Sequence, residues 1–201
     1  MSLSVSPRMA GVRSSPTGAV LALVTELRAQ GRDIIILGAG EPDFDTPQHI
    51  RDAAVAAIAA GQTRYTPIDG TAALKSAIQA KFRRENALEY DTSQIIVTCG
   101  GKQALFNLCM ALLGPGNEAI IPAPYWVSYP DMVRLAEARP VIIDAGIEQD
   151  FKLTPAQLDA GLNANTRLLV LNSPGNPTGA SYTRAELVAL GAVLDNYPGV
   201  V

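Results

Sequence analysis

The sequence predicts an α/β domain with a mainly parallel sheet. Short β-branched or leucine-rich runs alternate with helix-like segments along all 201 residues, the order that places helices over a parallel sheet. Each run is also short enough to be a strand buried on both faces. A composition of 48% hydrophobic and 17% charged residues supplies a real core.

In chain order, residues 34–37 form the first strand-like run. Thr46 reads as an N-cap with Pro47 at the first helical position, opening a helix to Ala60 that Gly61 stops. Between Thr71 and Asn86, Leu74, Ile78 and Phe82 recur every four residues, one apolar helical face. Residues 95–98 are a second strand, followed by Gly100, Gly101 and a helix from about Lys102. Strands follow at 119–121, 141–143 and 168–171. Thr154 with Pro155 opens one further helix, and the Thr183/Glu186 capping box opens another that runs to about Asp195. No internal repeat or low-complexity tract interrupts this order.

Several function classes are disfavoured at once. The formal charge is −3 with no basic or acidic block, which gives no electrostatic reason to expect nucleic acid or an anionic membrane. Residues 105–113, the longest dense apolar stretch, are broken by Asn107 and fall far short of a membrane span. Residues 1–18 do not read as a secretory leader, so a cytoplasmic location is expected. Cys99, Cys109 and His49 are the only cysteines and histidine. They make no metal constellation and no disulfide framework; buried, reduced thiols and a surface histidine are expected.

In parallel sheets ligands sit at the carboxyl ends of strands, so the residues after each run carry the chemistry. After 95–98 comes "CGGKQALFN", where two glycines and a helix N-terminus make either a phosphate cradle or a plain tight turn. It lacks the Gly-Lys-Ser/Thr of a Walker loop, and "GAGEPD" at 38–43 lacks the third glycine of a dinucleotide fingerprint. After 119–121, "PAPYWVSYP" clusters Tyr125, Trp126 and Tyr129 among prolines: a platform for a flat cofactor, or a core anchor. After 168–171, "NSPGNPTG" contains no large side chain and two prolines, a backbone held in one shape that would fix Asn172 and Asn176 as polar groups without an entropy cost on binding.

Taken together, "GAGEPDFDTP", "RYTPIDGTAALKSAI", "TCGGKQALFN", "PAPYWVSYPDM" and "NSPGNPTG" resemble, in order, the class I and II aminotransferases of the aspartate aminotransferase fold, which use pyridoxal 5′-phosphate (PLP). The resemblance implies a three-layer α/β/α large domain, incomplete in this chain. Residues 1–45 would be an N-terminal arm and the start of a small domain, and 46–201 the first part of the large domain. It implies that Gly101, Lys102 and Gln103 hold the PLP phosphate and that Trp126 stacks on the pyridine ring. Asn176 would bond the ring's phenolic oxygen and touch the substrate carboxylate, which the Gly40 backbone also approaches. Tyr65 would reach the phosphate in a neighbouring subunit, making a homodimer, and Ser15 and Thr17 would touch substrate. Amino acids and 2-oxo acids, aspartate or glutamate foremost, are the implied substrates, with aromatic, methionine or alanine types as alternatives. The bonds Ala123–Pro124 and Asn176–Pro177 are expected to be cis.

The family also needs a lysine to hold the cofactor as a Schiff base, and none of Lys75, Lys81, Lys102 and Lys152 matches it. Lys75 and Lys81 read as solvated helix positions. No catalytic residue is therefore assigned, and the chain reads as the N-terminal half of an aminotransferase, inactive by itself, with residues 95–98 deprived of sheet neighbours. A non-catalytic truncated or regulatory protein of the same fold is the alternative from another class; a nicotinamide-dependent oxidoreductase is disfavoured by the missing glycine fingerprint.

Overall fold

The computed structural model describes residues 4–12, 16–38 and 40–201, without the side chains of residues 16 and 17. The chain divides into two compact units, Met1–Ile34 with Leu105–Val201, and Ile35–Ala104.

The first unit is built on three parallel strands: β1 (Glu118–Ala123), β2 (Arg139–Asp144) and β3 (Thr166–Leu169), in the order β2-β1-β3. Glu118 pairs with Arg139 and Ile121 with Ile142 on one side of β1, and Ile120 with Leu169 on the other. Alternation along β1 sends neighbouring side chains to opposite faces. Ala119 and Ile121 pack with Cys109 and Leu113 at the end of α4 (Gly101–Leu112) and with Met132 and Val133 of α5 (Ser128–Leu135). Ile120 packs on the opposite face with Leu158 of α6 (Pro155–Gly161) and Leu190 of α7 (Arg184–Leu194). The result is helix, sheet and helix in three layers. Ala119, Ile120 and Ile121 are fully buried, and each isoleucine side chain so placed contributes about 1.5–3 kcal/mol.

Polar contacts fix the register at the strand bases. Glu118, buried at the start of β1, accepts from Arg139 Nε at 3.0 Å and from Asn163 Nδ2 at 2.8 Å. The bond from Asn163, then the guanidinium of Arg139, holds its carboxyl below the usual range. The capping box predicted at Thr183 is formed with Glu186, and Thr154, expected to open a helix with Pro155, also makes one, with Gln157 as its reciprocal partner. On the outer edge of β3, Val201 donates to the Arg167 carbonyl and accepts from Leu169 N, pairing as a parallel neighbour would.

The second unit holds α2 (Gln48–Ala59), α3 (Ala72–Lys81), a π-helical turn over Phe82–Asn86 and the start of α4. Thr71 caps α3, accepting from Leu74 N. The cap of α2 differs: Pro47 itself occupies it, its carbonyl taking the Ile50 and Arg51 amides, so the helix starts one residue later than predicted. Residues 34–37 and 95–98 are not strands. A strand exists only where a neighbour takes its amides and carbonyls, and among the described residues no such ladder runs along either run. Ile96 is accordingly exposed although Ile95 is buried.

Two side-chain expectations are corrected. Lys75 is not solvated: its ammonium is mostly buried and paired with Asp69, which lowers the aspartate's pKa. Cys99 is exposed, because it immediately precedes the Gly100 turn, whereas Cys109 is buried under β1; both are free thiols. His49 is exposed as expected. Among the described residues no helix is long and apolar enough to cross a membrane, and no group of three acidic, cysteine or histidine residues is placed to hold a metal.

Candidate functional site

The segment after β3 is a braced loop. The side-chain oxygen of Asn172 accepts the Asn176 amide at 2.9 Å, Gly175 N donates to the Ala180 carbonyl at 2.8 Å, and Gly179 N returns to the Gly175 carbonyl at 2.7 Å. Gly179 needs its φ of +75°, and at Gly175 a Cβ would stand 3.0 Å from the Thr178 hydroxyl. These contacts account for the absence of large side chains. Asn176–Pro177 and Ala123–Pro124 are cis, as expected, and Ser173–Pro174, on which no expectation was placed, is cis as well.

The loop is also anchored from outside. Tyr182 N donates to Ser173 Oγ at 3.0 Å, and the Tyr182 hydroxyl accepts the amide of buried Leu153 at 2.7 Å. Burial pushes the Tyr182 pKa up, against the lowering effect of that bond. The backbone of Asn176 is thereby held, yet its exposed side-chain amide makes no hydrogen bond among the described residues. An amide in that state can donate to a ligand oxygen without surrendering an existing partner.

Opposite this loop, at the carboxyl end of β1, stands the aromatic segment. Asn172, Asn176, Ile121, Pro124, Tyr125 and Tyr129 line a cleft whose enclosed part is about 30 Å³, which is room for roughly one water molecule. Trp126 is half-buried against the β1 core, with its ring edge-to-face to Tyr129 at 5.3 Å and 84°. Burial raises the pKa of Tyr129. The structure therefore brings Trp126 and Asn176 to the ends of adjacent strands, as sequence placed them. Two contributors were not foreseen. Tyr182 sits nine residues after its Ser173 partner with no motif around it, and Phe151 lines the cleft from a pair of positive-φ residues, Asp150 and Phe151, that carry no glycine signal.

Gly40, Tyr65 and the residues around Gly100 belong to the second unit. Gly100 has φ +89° and opens α4; its carbonyl accepts from Gln103 N at 3.1 Å, while Gln103 Oε1 takes the Cys99 amide at 2.6 Å. The Gln103 side chain thus presents its NH₂ as a donor, and Gly101, Lys102 and Gln103 are all exposed. A Cβ at Gly100 or Gly101 would meet nothing within 4 Å, so this turn keeps an open approach. Tyr65 is fully exposed on the loop that ends at Gly70, and Gly40 is exposed with open space around it. Ser15 and the side chain of Thr17 lie outside the described residues.

By itself each unit offers chemistry that suits part of a PLP-like group: a neutral amide and an indole in the first, and a glycine-flanked helix start in the second, with no carboxylate among the predicted contacts to repel a phosphate. Comparison with known proteins points the same way. The sequence pattern of the aminotransferases of class I and II matches residues 32–201. The chain is 55% identical over 199 residues to the aspartate/prephenate aminotransferase of Nitrosomonas europaea, covering 99% of this chain and 50% of that protein. It is 57% identical over 196 residues to that of Cereibacter sphaeroides, covering 98% of this chain and 49% of that one. Among solved structures, the aspartate aminotransferase of Rhizobium meliloti superposes with a TM-score of 0.95 at 45% identity, over 99% of this chain and 50% of its own. The Thermus thermophilus aspartate aminotransferase with maleate gives 0.93 at 46% identity, over 98% and 51%. The chain thus spans about half the length of the relatives it matches. A match over residues 32–201, joined to a parallel α/β sheet of the same form, makes this chain a member of the aminotransferase class I and II family.

Proposed function

We propose that the chain is the part of a PLP-dependent aminotransferase that supports the cofactor ring and phosphate, in an enzyme moving amino groups between aspartate- or glutamate-type amino acids and 2-oxo acids. The observation that carries it is Asn176: a rigidly held, unengaged amide at the end of β3, across a cleft from the Tyr125–Tyr129 aromatic segment. The names of the relatives, aspartate/prephenate aminotransferases, support testing aspartate and prephenate first as substrates.

In this reading PLP supplies the electron-withdrawing ring that lets a Cα–H bond break. The chain's own residues orient. Trp126 offers a flat apolar face, Asn176 donates to a ring oxygen and a substrate carboxylate, and the N–H groups of Gly101, Lys102 and Gln103 at the α4 start hold phosphate. Gly40 admits the carboxylate to its backbone, Ser15 and Thr17 contribute side-chain contacts, and Tyr65 serves the neighbouring subunit of a cytoplasmic homodimer. Residues 1–45 form the arm and the start of a small domain, and 46–201 the first part of the large one. None of the four lysines is given the proton-carrying role, so these 201 residues alone bind without turning over.

Titration of the purified chain with PLP, followed by emission of its only tryptophan, Trp126, tests this. Saturable quenching is expected, with Asn176→Ala weakening binding by about 1.5–3 kcal/mol, roughly 13- to 160-fold. Absence of quenching, or equal affinity in the variant, would overturn the binding role. Aspartate or prephenate turnover by the 201-residue chain would overturn its inactivity.

A further inference from the structure

We infer that Tyr129 is a positioning residue that sets the plane of the Trp126 indole. Three observations converge on it. The Tyr129 ring meets the indole edge-to-face, 5.3 Å between centroids at 84°. The Tyr129 amide donates to the Trp126 carbonyl at 3.1 Å, closing the turn that leads into α5 and fixing the two side chains relative to each other. Both rings pack against the same buried cluster, which includes Ile121, Met132 and Val133, so turning either ring away forfeits core contact.

The tyrosine also reaches two surfaces at once. It lines the cleft that Asn176 opens onto and, on its other side, an apolar groove of about 160 Å³ with Leu105, Leu108 and Met132. It is a wedge between groove and indole. Its hydroxyl makes no hydrogen bond among the described residues, so the ring carries the effect and phenylalanine should replace it. An edge-to-face pair biases orientation by roughly 2- to 12-fold. The inference rests on the aminotransferase reading only in its last step, that a set indole plane favours a stacked cofactor ring.

The test compares Tyr129→Phe, Tyr129→Leu and Tyr129→Met in the full chain, with Trp126 as the sole tryptophan reporter. Time-resolved anisotropy and near-ultraviolet circular dichroism read the indole without cofactor, and PLP titration reads the consequence. Tyr129→Phe should match the parent in all three. Tyr129→Leu should show faster local depolarisation, a diminished near-ultraviolet band and roughly 2- to 12-fold weaker PLP binding at unchanged far-ultraviolet signal. Tyr129→Met, unbranched and adaptable, substitutes for the leucine variant should that chain fail to fold. Ringless variants with a parental indole signature would overturn the inference, as would loss of the signature in Tyr129→Phe. If PLP fails to quench the parent, the functional reading falls, while the anisotropy still decides the role of Tyr129.

Discussion

Replacing Tyr182 by phenylalanine removes one oxygen and leaves the ring. That oxygen accepts the amide of Leu153 at 2.7 Å, and Leu153 is 3% exposed. Water has little access to the orphaned N–H, so the cost is that of an unsatisfied buried donor, about 1–3 kcal/mol. For a chain of this size each kcal/mol shifts Tm by about 2–4 °C, which gives a loss of about 2–12 °C. Urea unfolding followed by circular dichroism measures the stability, and hydrogen exchange at the Leu153 amide measures the cause. A lower midpoint at unchanged m, together with faster exchange at Leu153, is the expected pair. Stability within 0.5 kcal/mol of the parent, about the scatter of a neutral surface substitution, with unaltered Leu153 protection, would refute the idea that Tyr182 ties the cleft loop to the segment before α6.

Three more outcomes follow from the packing and charge. Ile120→Ala should lose about 2–5 kcal/mol, and Ile142→Ala, 38% exposed on β2, less than half as much, by urea titration of each; Ile120→Val, at about 0.5–1.5 kcal/mol, keeps the comparison if the alanine variant does not fold. Glu186 is held down to about 2 by Lys152 and by the Thr183 backbone and hydroxyl, so its folded pKa lies below the unfolded value. Its stabilisation is full above about pH 4.5 and disappears as pH falls toward 2; the urea midpoint should fall over that window, and less so in Glu186→Gln. Gly70→Ala puts a Cβ 2.7 Å from Val97 Cγ2 at φ +107°, an overpacked and strained position costing about 2–5 kcal/mol. Increased proteolytic cleavage in the loop bearing Tyr65 would report it.

Legibility from sequence followed the locality of the interactions. The helix starts at Thr154 and Thr183 are decided within four residues, and both were read correctly. The three strands of the first unit were read because partners within the same chain complete them. Residues 34–37 and 95–98 have equally good strand composition and fail as strands for want of a neighbour, a condition no local pattern encodes. Within the candidate site, the rigidity of the Asn172–Gly179 segment was visible in its prolines and glycines. The anchoring of that segment by Tyr182 to Leu153, across 29 residues, was not, since nothing in either neighbourhood marks a hydroxyl acceptor. Lys75 was misread because its partner Asp69 precedes the helix rather than lying one turn away on it.

The central place of β1 carries a kinetic consequence. Its two partners lie at different distances along the chain: Arg139 is 21 residues beyond Glu118, and Thr166 is 48. Closing the longer loop costs about 0.7 kcal/mol more entropy, and the β1–β2 ladder is also the longer of the two. Assembly should therefore begin with β1 and β2, with β3 added to an existing template. Substitutions at Val141 should slow folding, whereas those at Leu168 should mainly speed unfolding, as chevron analysis would separate. The loop bearing Asn176, which follows β3, is then the last part of this unit to acquire its shape and the first to lose it.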